Sequence, residues 1–234
     1  METKKAWDEH AERWESCIKT IDFLGKQELA KNKNYFFSFF HSLKEKKKIL
    51  DAGCGFGYFS VYAAKLGHEV VGIDFSEKNL SLARRFAAIN KVKIKFIKSD
   101  VRCMPFKDKQ FDVVISAGVI EHVPETGEAV KEHSRVLKNG GTFIGNVPHR
   151  YTSFVLSKLF LRCIGKWDVG YEKSFSIRKF RKYLSAGGFK AIETKRLEIE
   201  PGIKFPKYGK MLRILDKPLW LLGLGGAHFA FLAE

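Results

Sequence analysis

Residues 49–57 read ILDAGCGFG, and this stretch decides the fold of the 234-residue chain. An apolar run leads into glycines at positions 53, 55 and 57, and residues 58–66 then carry apolar side chains at helical spacing. A buried strand that passes through a glycine loop into a helix is typical of α/β proteins that hold a ligand against bare backbone. The sequence therefore predicts a binding site at this loop.

Strands and helices alternate at short intervals on both sides of the loop. The alternation predicts an α/β, Rossmann-like, doubly wound sheet of seven mostly parallel strands with an antiparallel last strand. Ser76 should cap the second helix, and the Asn-Gly-Gly of residues 139–141 should end the third. The predicted strands are residues 48–51, 69–74, 93–98, 111–116, 142–147, 189–194 and 228–233, and the predicted helices are residues 58–66, 76–89, 125–137 and 176–186.

An aspartate lies at the end of each of the first three predicted strands. Asp51 ends the first strand, Asp74 ends the second, and Asp100 follows the third. A single aspartate at a strand end is common for structural reasons. Three of them meet on one rim of a parallel sheet, where doubly wound folds bind their ligands. Together they predict a ligand site.

The residues around the loop also distinguish between cofactors. A dinucleotide loop needs a small residue five positions after its first glycine, but Tyr58 stands five positions after Gly53. Asp51 would repel a pyrophosphate, whereas it would favour a cationic amino acid end. S-adenosylmethionine carries an ammonium and a sulfonium group, so it suits this site.

With these motifs, residues 47–147 resemble the class I S-adenosylmethionine-dependent methyltransferases. ILDAGCGFG is similar to the family's first motif, VVGIDFS (residues 70–76) to its ribose-binding strand end, residues 98–116 to its adenine loop, and residues 136–144 to the turn before its fifth strand. The resemblance implies a methyltransferase fold and activity. Within the family, the chain is most similar to the small-molecule branch that includes quinone-biosynthesis enzymes.

The resemblance implies a role for each matching residue. Asp74 would hold the ribose, Phe75 would pack on the adenine, and Ala117 would offer its backbone to the methionine end. Trp14, within WDEHAERWE (residues 7–15), would be a lid residue, unless it packs into the core. The remaining implied contacts are Asp100 and the backbone of Val101 at the adenine edge, and Gly53 and Gly55 against the methionine part. The residues themselves add Asp51 at the amino acid end and Gly57 in the loop.

Two histidines follow strands at the predicted rim. A base is needed only when the acceptor is a hydroxyl or a similar acid, and histidine is then the usual choice. His122 and His149 are the candidates; the alternatives are a backbone-bonded helix-start residue for His122 and a solvated loop residue for His149. In ubiquinone O-methyltransferases a further Glu, three residues before the Glu-His pair, helps to form a metal site. Gly118 stands there, so we expect no metal.

The resemblance also divides the single domain of residues 1–234. Residues 1–43 would form an N-terminal helical lid, residues 47–147 the cofactor-binding core, and residues 149–172 and 203–224 cap insertions around the acceptor. We expect a small, hydrophobic or aromatic acceptor. The alternatives are an RNA or protein methyltransferase, which the absence of an Asn-Pro-Pro-Tyr type of motif disfavours, and a non-catalytic S-adenosylmethionine-binding module.

Composition limits the classes of partner. The net charge of +16 allows an anionic partner such as nucleic acid or a membrane surface. We favour a solvated lysine-rich surface, because no nucleic-acid module accompanies the charge. An apolar and basic stretch at residues 211–222 suggests peripheral membrane contact as an alternative. The four scattered cysteines and the lack of a leader or a membrane span predict a soluble, cytoplasmic protein of undetermined oligomeric state.

Overall fold

The computed structural model shows one seven-stranded sheet with helices on both faces. The elements in chain order are α1 (Tyr35–Ser42), β1 (Lys48–Ala52), α2 (Tyr58–Lys65), β2 (Glu69–Asp74), α3 (Glu77–Ile89), β3 (Lys95–Lys98), β4 (Phe111–Ala117), a 3₁₀ turn (Ile120–His122), α4 (Thr126–Val136), β5 (Leu137–Pro148), α5 (Ile177–Ala186), β6 (Ile192–Leu197) and β7 (His228–Ala233). The structure describes residues 35–152, 170–197 and 228–234, with the isolated positions 8, 15, 155, 158, 159, 162, 163 and 165.

The strand order is β3-β2-β1-β4-β5-β7-β6. Strands β1 to β5 run parallel, whereas β7 pairs antiparallel with both β5 and β6. The predicted fold class is therefore confirmed. The strand order reverses between β1 and β4, which creates a crevice at their carboxyl ends. The glycine loop follows β1 and so lies at this crevice.

The sheet is buried on both faces. Ile49 packs among the residues of α2 and α3, whereas its neighbour Leu50 packs on the opposite side. Burial on both faces explains why the parallel strands read as nearly continuous apolar runs. Helix α1 adds an aromatic cluster, in which the ring of Phe37 lies 4.3 Å from that of Tyr62 on α2. Helix α1 thereby braces the helix that follows the glycine loop.

Strand β5 begins at Leu137, directly after α4, and not at residue 142 as predicted. Leu137 pairs with Phe111, and the register shifts between Phe111 and Val113 to admit the extra residues. Helix α4 already ends at Val136, so the Asn-Gly-Gly of residues 139–141 does not terminate it. A Cβ at Gly141 would lie 2.9 Å from the backbone oxygen of Asp112. Glycine is therefore needed there because β4 approaches closely.

Two other strands differ from their predicted bounds. Strand β3 starts two residues later than expected, and β6 covers Ile192–Leu197 instead of residues 189–194. Phe189 is buried in the turn before β6, where its ring stacks 5.3 Å from that of Phe143. Its apolar character marks a core contact and not a strand position. Ser76 caps α3 as predicted, since its side chain accepts a hydrogen bond from the Asn79 N–H.

Several predictions lie outside the described residues. These are the lid role of Trp14, nearly all of the N-terminal segment before residue 35, and the second cap insertion at residues 203–224. The first insertion, residues 149–172, is described only in part. Within the described part of the chain, every helix is too short or too polar to cross a membrane.

Candidate active site

The glycine loop packs tightly at one end and is open at the middle. Its glycines have positive φ angles of 78° at Gly53, 54° at Gly55 and 83° at Gly57, which side chains rarely adopt. A Cβ at Gly53 would lie 2.4 Å from Cγ2 of Val119, which follows β4. A Cβ at Gly55 would meet no atom within 4 Å. Gly55 therefore presents bare backbone to open space, as a ligand cradle requires.

Asp74 ties the glycine loop to the end of β2. The Gly55 N–H donates to its Oδ2 at 2.9 Å, and the Ser76 N–H donates to its Oδ1 at 2.8 Å. Burial raises the pKa of Asp74, although these hydrogen bonds act in the opposite direction. The Asn79 side-chain amide also donates to Oδ1, at 3.4 Å. An ionised carboxylate has about four acceptor sites, so Asp74 keeps one, on Oδ2, for a ligand. Phe75, the next residue, is 37% exposed on the same rim.

Asp51 is enclosed behind the loop. It is 2% exposed, and its Oδ2 accepts a hydrogen bond of 2.6 Å from the Ser60 hydroxyl on α2. Burial, with a smaller contribution from the nearby Asp74, raises the pKa of Asp51 to about 6, although the hydrogen bonds from Ser60 act in the opposite direction. Sequence reasoning missed Ser60, because only the crossing of α2 over β1 brings the two side chains together. A role of Asp51 toward a cationic group stays a prediction.

Replacing Asp51 by asparagine should change the pH dependence of stability. Because the pKa of about 6 lies above the ordinary 3.8, this group's stabilisation is present below about pH 4 and lost as the pH rises through 6. The shift corresponds to about 3 kcal/mol. Urea unfolding of both proteins measures their free energies of unfolding. Between about pH 4.5 and about pH 7.5, the free energy of Asp51→Asn should rise by about 2–3 kcal/mol relative to that of the wild type. If the difference between the two free energies of unfolding stayed the same across this pH range, Asp51 would not ionise in its buried position.

Asp100→Asn is the matched control for that experiment. The Arg102 guanidinium holds the pKa of Asp100 below its usual range, so this variant should lose stability relative to the wild type as the pH rises.

Asp100 is held by an arginine that sequence reasoning missed. Arg102 donates from Nη2 to Asp100 Oδ2 at 2.6 Å and from Nε to Oδ1 at 3.0 Å. Its Nη1 donates to Glu125, next to the start of α4, at 2.7 Å. Val101, between them, is buried. The arginine thereby braces the rim after β3 against the rim after β4, while contacts of Asp100 and Val101 with an adenine stay predictions.

The 3₁₀ turn after β4 holds His122 by its backbone. Nδ1 of His122 lies 2.7 Å from the backbone oxygen of Tyr171, and Nε2 lies 4.0 Å from Oε1 of the fully buried Glu121. A carbonyl oxygen only accepts, so Nδ1 carries the hydrogen and Nε2 is the acceptor of the neutral ring. Ala117, at the end of β4, pairs with Asn146 on β5. The turn therefore places an oriented imidazole beside the strand end.

His149 is buried at the end of β5, with 3% of its surface exposed. Its ring lies 5.9 Å from the rings of both Tyr151 and Phe229. Burial lowers the pKa of His149, and Arg196 lowers it further, so the ring is neutral near pH 7. The alternative of a solvated loop residue is wrong, because the return segment of the first insertion covers this position.

That return segment, residues 170–175, connects the two histidines. The Lys173 N–H donates to the Glu121 oxygen at 2.8 Å, and the Phe175 N–H donates to the Pro148 oxygen at 2.8 Å. Lys158 and Glu172 form a buried ion pair of 3.1 Å between the insertion and its return. The segment therefore fixes the loops after β4 and β5 relative to each other.

The rim does not assemble a three-ligand metal site from its described residues, which contain no suitable group of three His, Cys, Asp or Glu side chains. A Cβ at Gly118 would lie 3.7 Å from Oε1 of Glu121, beside the Glu-His pair. The glycine therefore offers no ligand beside the Glu-His pair.

Two N-terminal positions lie along α3. Asp8 accepts a hydrogen bond of 2.7 Å from the Ser76 hydroxyl, and Glu15 forms an ion pair of 2.6 Å with Arg85. The first of these contacts is next to Asp74 on the rim.

Comparison with known proteins identifies relatives of the core. Residues 50–145 match the family model described as a methyltransferase domain. The chain is 38% identical over 121 residues to the ubiquinone biosynthesis O-methyltransferase of Pelagibacter ubique, covering 51% of this chain and 50% of that one. It is 29% identical over 159 residues to the enzyme of the same name from a Ruegeria species, covering 66% and 64%. The chain thus spans between half and two thirds of the length of these relatives.

Solved structures share the fold. An S-adenosylmethionine-dependent methyltransferase from Archaeoglobus fulgidus has a TM-score of 0.64 at 20% identity, covering 90% of this chain and 95% of that one. Phosphoethanolamine N-methyltransferase 2 of Haemonchus contortus, solved with S-adenosylmethionine, has a TM-score of 0.62 at 22% identity, covering 89% and 52%. At these identities the likeness establishes the doubly wound fold.

Proposed function

We propose that this chain, whose residues 50–145 match the model of a methyltransferase domain, belongs to the class I S-adenosylmethionine-dependent family and transfers a methyl group from that cofactor to a small, hydrophobic or aromatic acceptor. The observation that carries the proposal is the bare backbone of Gly55, which faces open space beside the Asp74 carboxylate at the crevice between β1 and β4.

The residues present fit S-adenosylmethionine. Gly55 leaves room for the methionine part, and Oδ2 of Asp74 keeps capacity to accept from a ribose hydroxyl. Phe75 presents an exposed ring directly after Asp74, where an adenine could stack. Asp51 lies buried behind the loop, where its ionised form would favour a cationic amino acid end. A dinucleotide does not fit the loop equally well, because Tyr58 is large where a dinucleotide-binding loop needs a small residue.

Methyl transfer does not require a covalent bond between the protein and the methyl group. S-adenosylmethionine supplies a methyl group on a positively charged sulfur atom, and the leaving group is neutral. The chain must therefore align the acceptor and exclude water. The rim after β4 and β5 provides the alignment, because the return segment fixes both loops. Ala117 offers backbone at the end of β4.

We assign His122 as the base for a hydroxyl acceptor, with His149 as the second candidate. The Tyr171 carbonyl accepts the Nδ1 hydrogen of His122, so Nε2 is the nitrogen that would take a proton. The relatives named as O-methyltransferases support a hydroxyl acceptor. The aromatic and basic residues of the two cap insertions would select that acceptor.

Replacing His122 by glutamine should lower kcat about 100-fold or more, the usual contribution of a general base, and leave cofactor affinity within about twofold. His149→Gln is the matched control, and we expect it to lower kcat less than about tenfold. Radiolabelled methyl transfer to the identified acceptor measures both. A His122→Gln enzyme that keeps more than about a third of the wild-type kcat would show that His122 is not the base.

A methyl-transfer screen tests the proposed function. The purified protein is incubated with tritium-labelled S-adenosylmethionine and separate lipid, small-molecule, RNA and protein fractions of a cell extract. We expect label in the small-molecule or lipid fraction. Label confined to RNA or protein would establish the alternative substrate class. Cofactor binding without transfer to any fraction would favour the non-catalytic module.

The cytoplasm is the location that we propose. The described cysteines, Cys54, Cys103 and Cys163, are unpaired thiols, as expected in a reducing compartment. Cell fractionation of the tagged protein tests this location.

A further inference from the structure

We propose that a lysine-rich surface at the amino end of the sheet, opposite the rim of the candidate active site, docks the protein on an anionic lipid bilayer. Strands β1 to β5 are parallel and begin at this end, so the residues before them share one surface. Seven exposed lysines lie there without an ionic partner among the residues that the structure describes. This lysine face consists of Lys44, Lys46, Lys91, Lys93, Lys107, Lys109 and Lys190.

Backbone contacts place these lysines along one edge. The N–H of Glu69, the first residue of β2, donates to the oxygen of Lys47, which directly precedes β1, at 2.9 Å. The Lys109 N–H donates to the Arg135 oxygen at 2.8 Å, next to the start of β5. The Lys190 N–H donates to the oxygen of Glu234, which follows β7, at 2.8 Å. With strands about 4.8 Å apart, the face extends roughly 30 Å from β3 to β6.

The acids at this end do not neutralise the lysine face. Four of them pair with cations outside the seven lysines. These pairs are Glu45 with Lys47 at 3.4 Å, Glu69 with Lys48 at 3.6 Å, Asp108 with Arg135 at 2.7 Å, and Asp112 with Lys138 at 2.7 Å. Glu193, the second residue of β6, and Glu234 are further described acids at this end, and Glu132 shares Arg135 with Asp108. An excess of positive charge therefore remains, and it attracts an anionic surface.

Exposed apolar side chains favour a bilayer over RNA as the partner. Leu66 is 38% exposed and Ile89 is 57% exposed, and both lie at helix ends that reach the lysine face. The exposed large aromatic side chains in the described part of the chain belong to the opposite end: Phe75, Tyr151 and Tyr171. Single-stranded RNA is bound on aromatic platforms. Lysines with interspersed aliphatic side chains are the composition that binds anionic lipid headgroups.

Docking in this orientation turns the rim away from the bilayer. Strand β1 has five residues, so the glycine loop lies roughly 15 Å above the lysine face. The mouth of the site then stays open to solution while the protein is held at the surface. The docking does not depend on the proposed methyl transfer.

Co-sedimentation with vesicles tests the docking surface. The vesicles contain phosphatidylglycerol and phosphatidylcholine at about 3:7, in about 0.1 M salt, where surface charges are screened beyond about 10 Å. We expect the wild-type protein to bind them and Lys46→Glu/Lys91→Glu/Lys93→Glu to bind at least about tenfold more weakly. The matched control, Arg178→Glu/Lys179→Glu/Lys182→Glu on α5, changes the net charge equally and should lose less than about threefold.

Three outcomes would overturn the proposal. The wild-type protein could fail to bind the vesicles, or both triple variants could lose binding equally, which would indicate net charge alone. The protein could also bind a single-stranded RNA more tightly than the vesicles through the same lysines. Calorimetry with S-adenosylmethionine checks that both variants keep a folded cofactor site. Because vesicle binding is measured without methyl transfer, its failure is distinct from failure of the proposed function.

Discussion

Replacing Asp74 by alanine should weaken S-adenosylmethionine binding about 100-fold, or about 2.7 kcal/mol. The change removes the expected acceptor for the ribose hydroxyls. It also frees the Gly55 N–H and the Ser76 N–H, which donate to the two carboxylate oxygens. The glycine loop would then be held to β2 only by the hydrogen bonds that Gly53 N–H and Cys54 N–H donate to the Ile73 oxygen, and Gly55 would lose its own contact. Isothermal titration calorimetry measures the loss.

Asp74→Asn separates charge from shape in the same experiment. The amide oxygen can keep one of the two backbone hydrogen bonds, so we expect an intermediate loss of about tenfold. Glu69→Ala, at the opposite end of the same strand, is the control and should bind like the wild type. An Asp74→Ala protein with wild-type affinity would show that the cofactor does not contact this acid.

Replacing Gly53 by alanine should unfold or loosen the glycine loop. The φ of 78° places the new side chain in a strained region, which costs about 1–3 kcal/mol. The new Cβ would also lie 2.4 Å from Cγ2 of Val119, and such overpacking costs about 1–3 kcal/mol. We expect a loss of about 3 kcal/mol in the free energy of unfolding, measured by urea titration, and weaker cofactor binding.

Two further variants separate strain from the clash. Gly67→Ala has a φ of 91° but no atom within 4 Å of its Cβ, so it should show the strain alone. The double variant Gly53→Ala/Val119→Ala should recover stability relative to Gly53→Ala, because it removes the contacting methyl groups. A Gly53→Ala protein as stable as the wild type would contradict the close approach of Val119 to the loop.

Much of the fold could be predicted because it depends on local patterns. Continuous apolar runs and short intervals between strands indicate a doubly covered parallel sheet, and both features are local in sequence. The bounds of β5 and β6 could not be predicted, because they depend on distant partners. Leu137 is a strand residue because it pairs with Phe111, and Phe189 is apolar because it stacks on Phe143.

In the candidate site too, the residues at strand ends could be predicted from local sequence, whereas their contact partners could not. Asp51 and Asp74 were predicted because each ends a strand, and the structure places both beside the glycine loop. Their partners depend on how helices and loops cross the sheet. Ser60 reaches Asp51 only through the crossing of α2. His149 is buried between Phe229 on β7 and the return segment, which pairs Phe175 with the residues after β5.

Direct titration of the wild-type protein with S-adenosylmethionine and, separately, with NAD⁺ tests the central claim. The account predicts one S-adenosylmethionine per chain with a Kd of about 1–100 μM and no NAD⁺ binding at about 1 mM, since Tyr58 stands where a dinucleotide loop needs a small residue. Absence of S-adenosylmethionine binding at about 1 mM, or tighter binding of NAD⁺, would contradict the account.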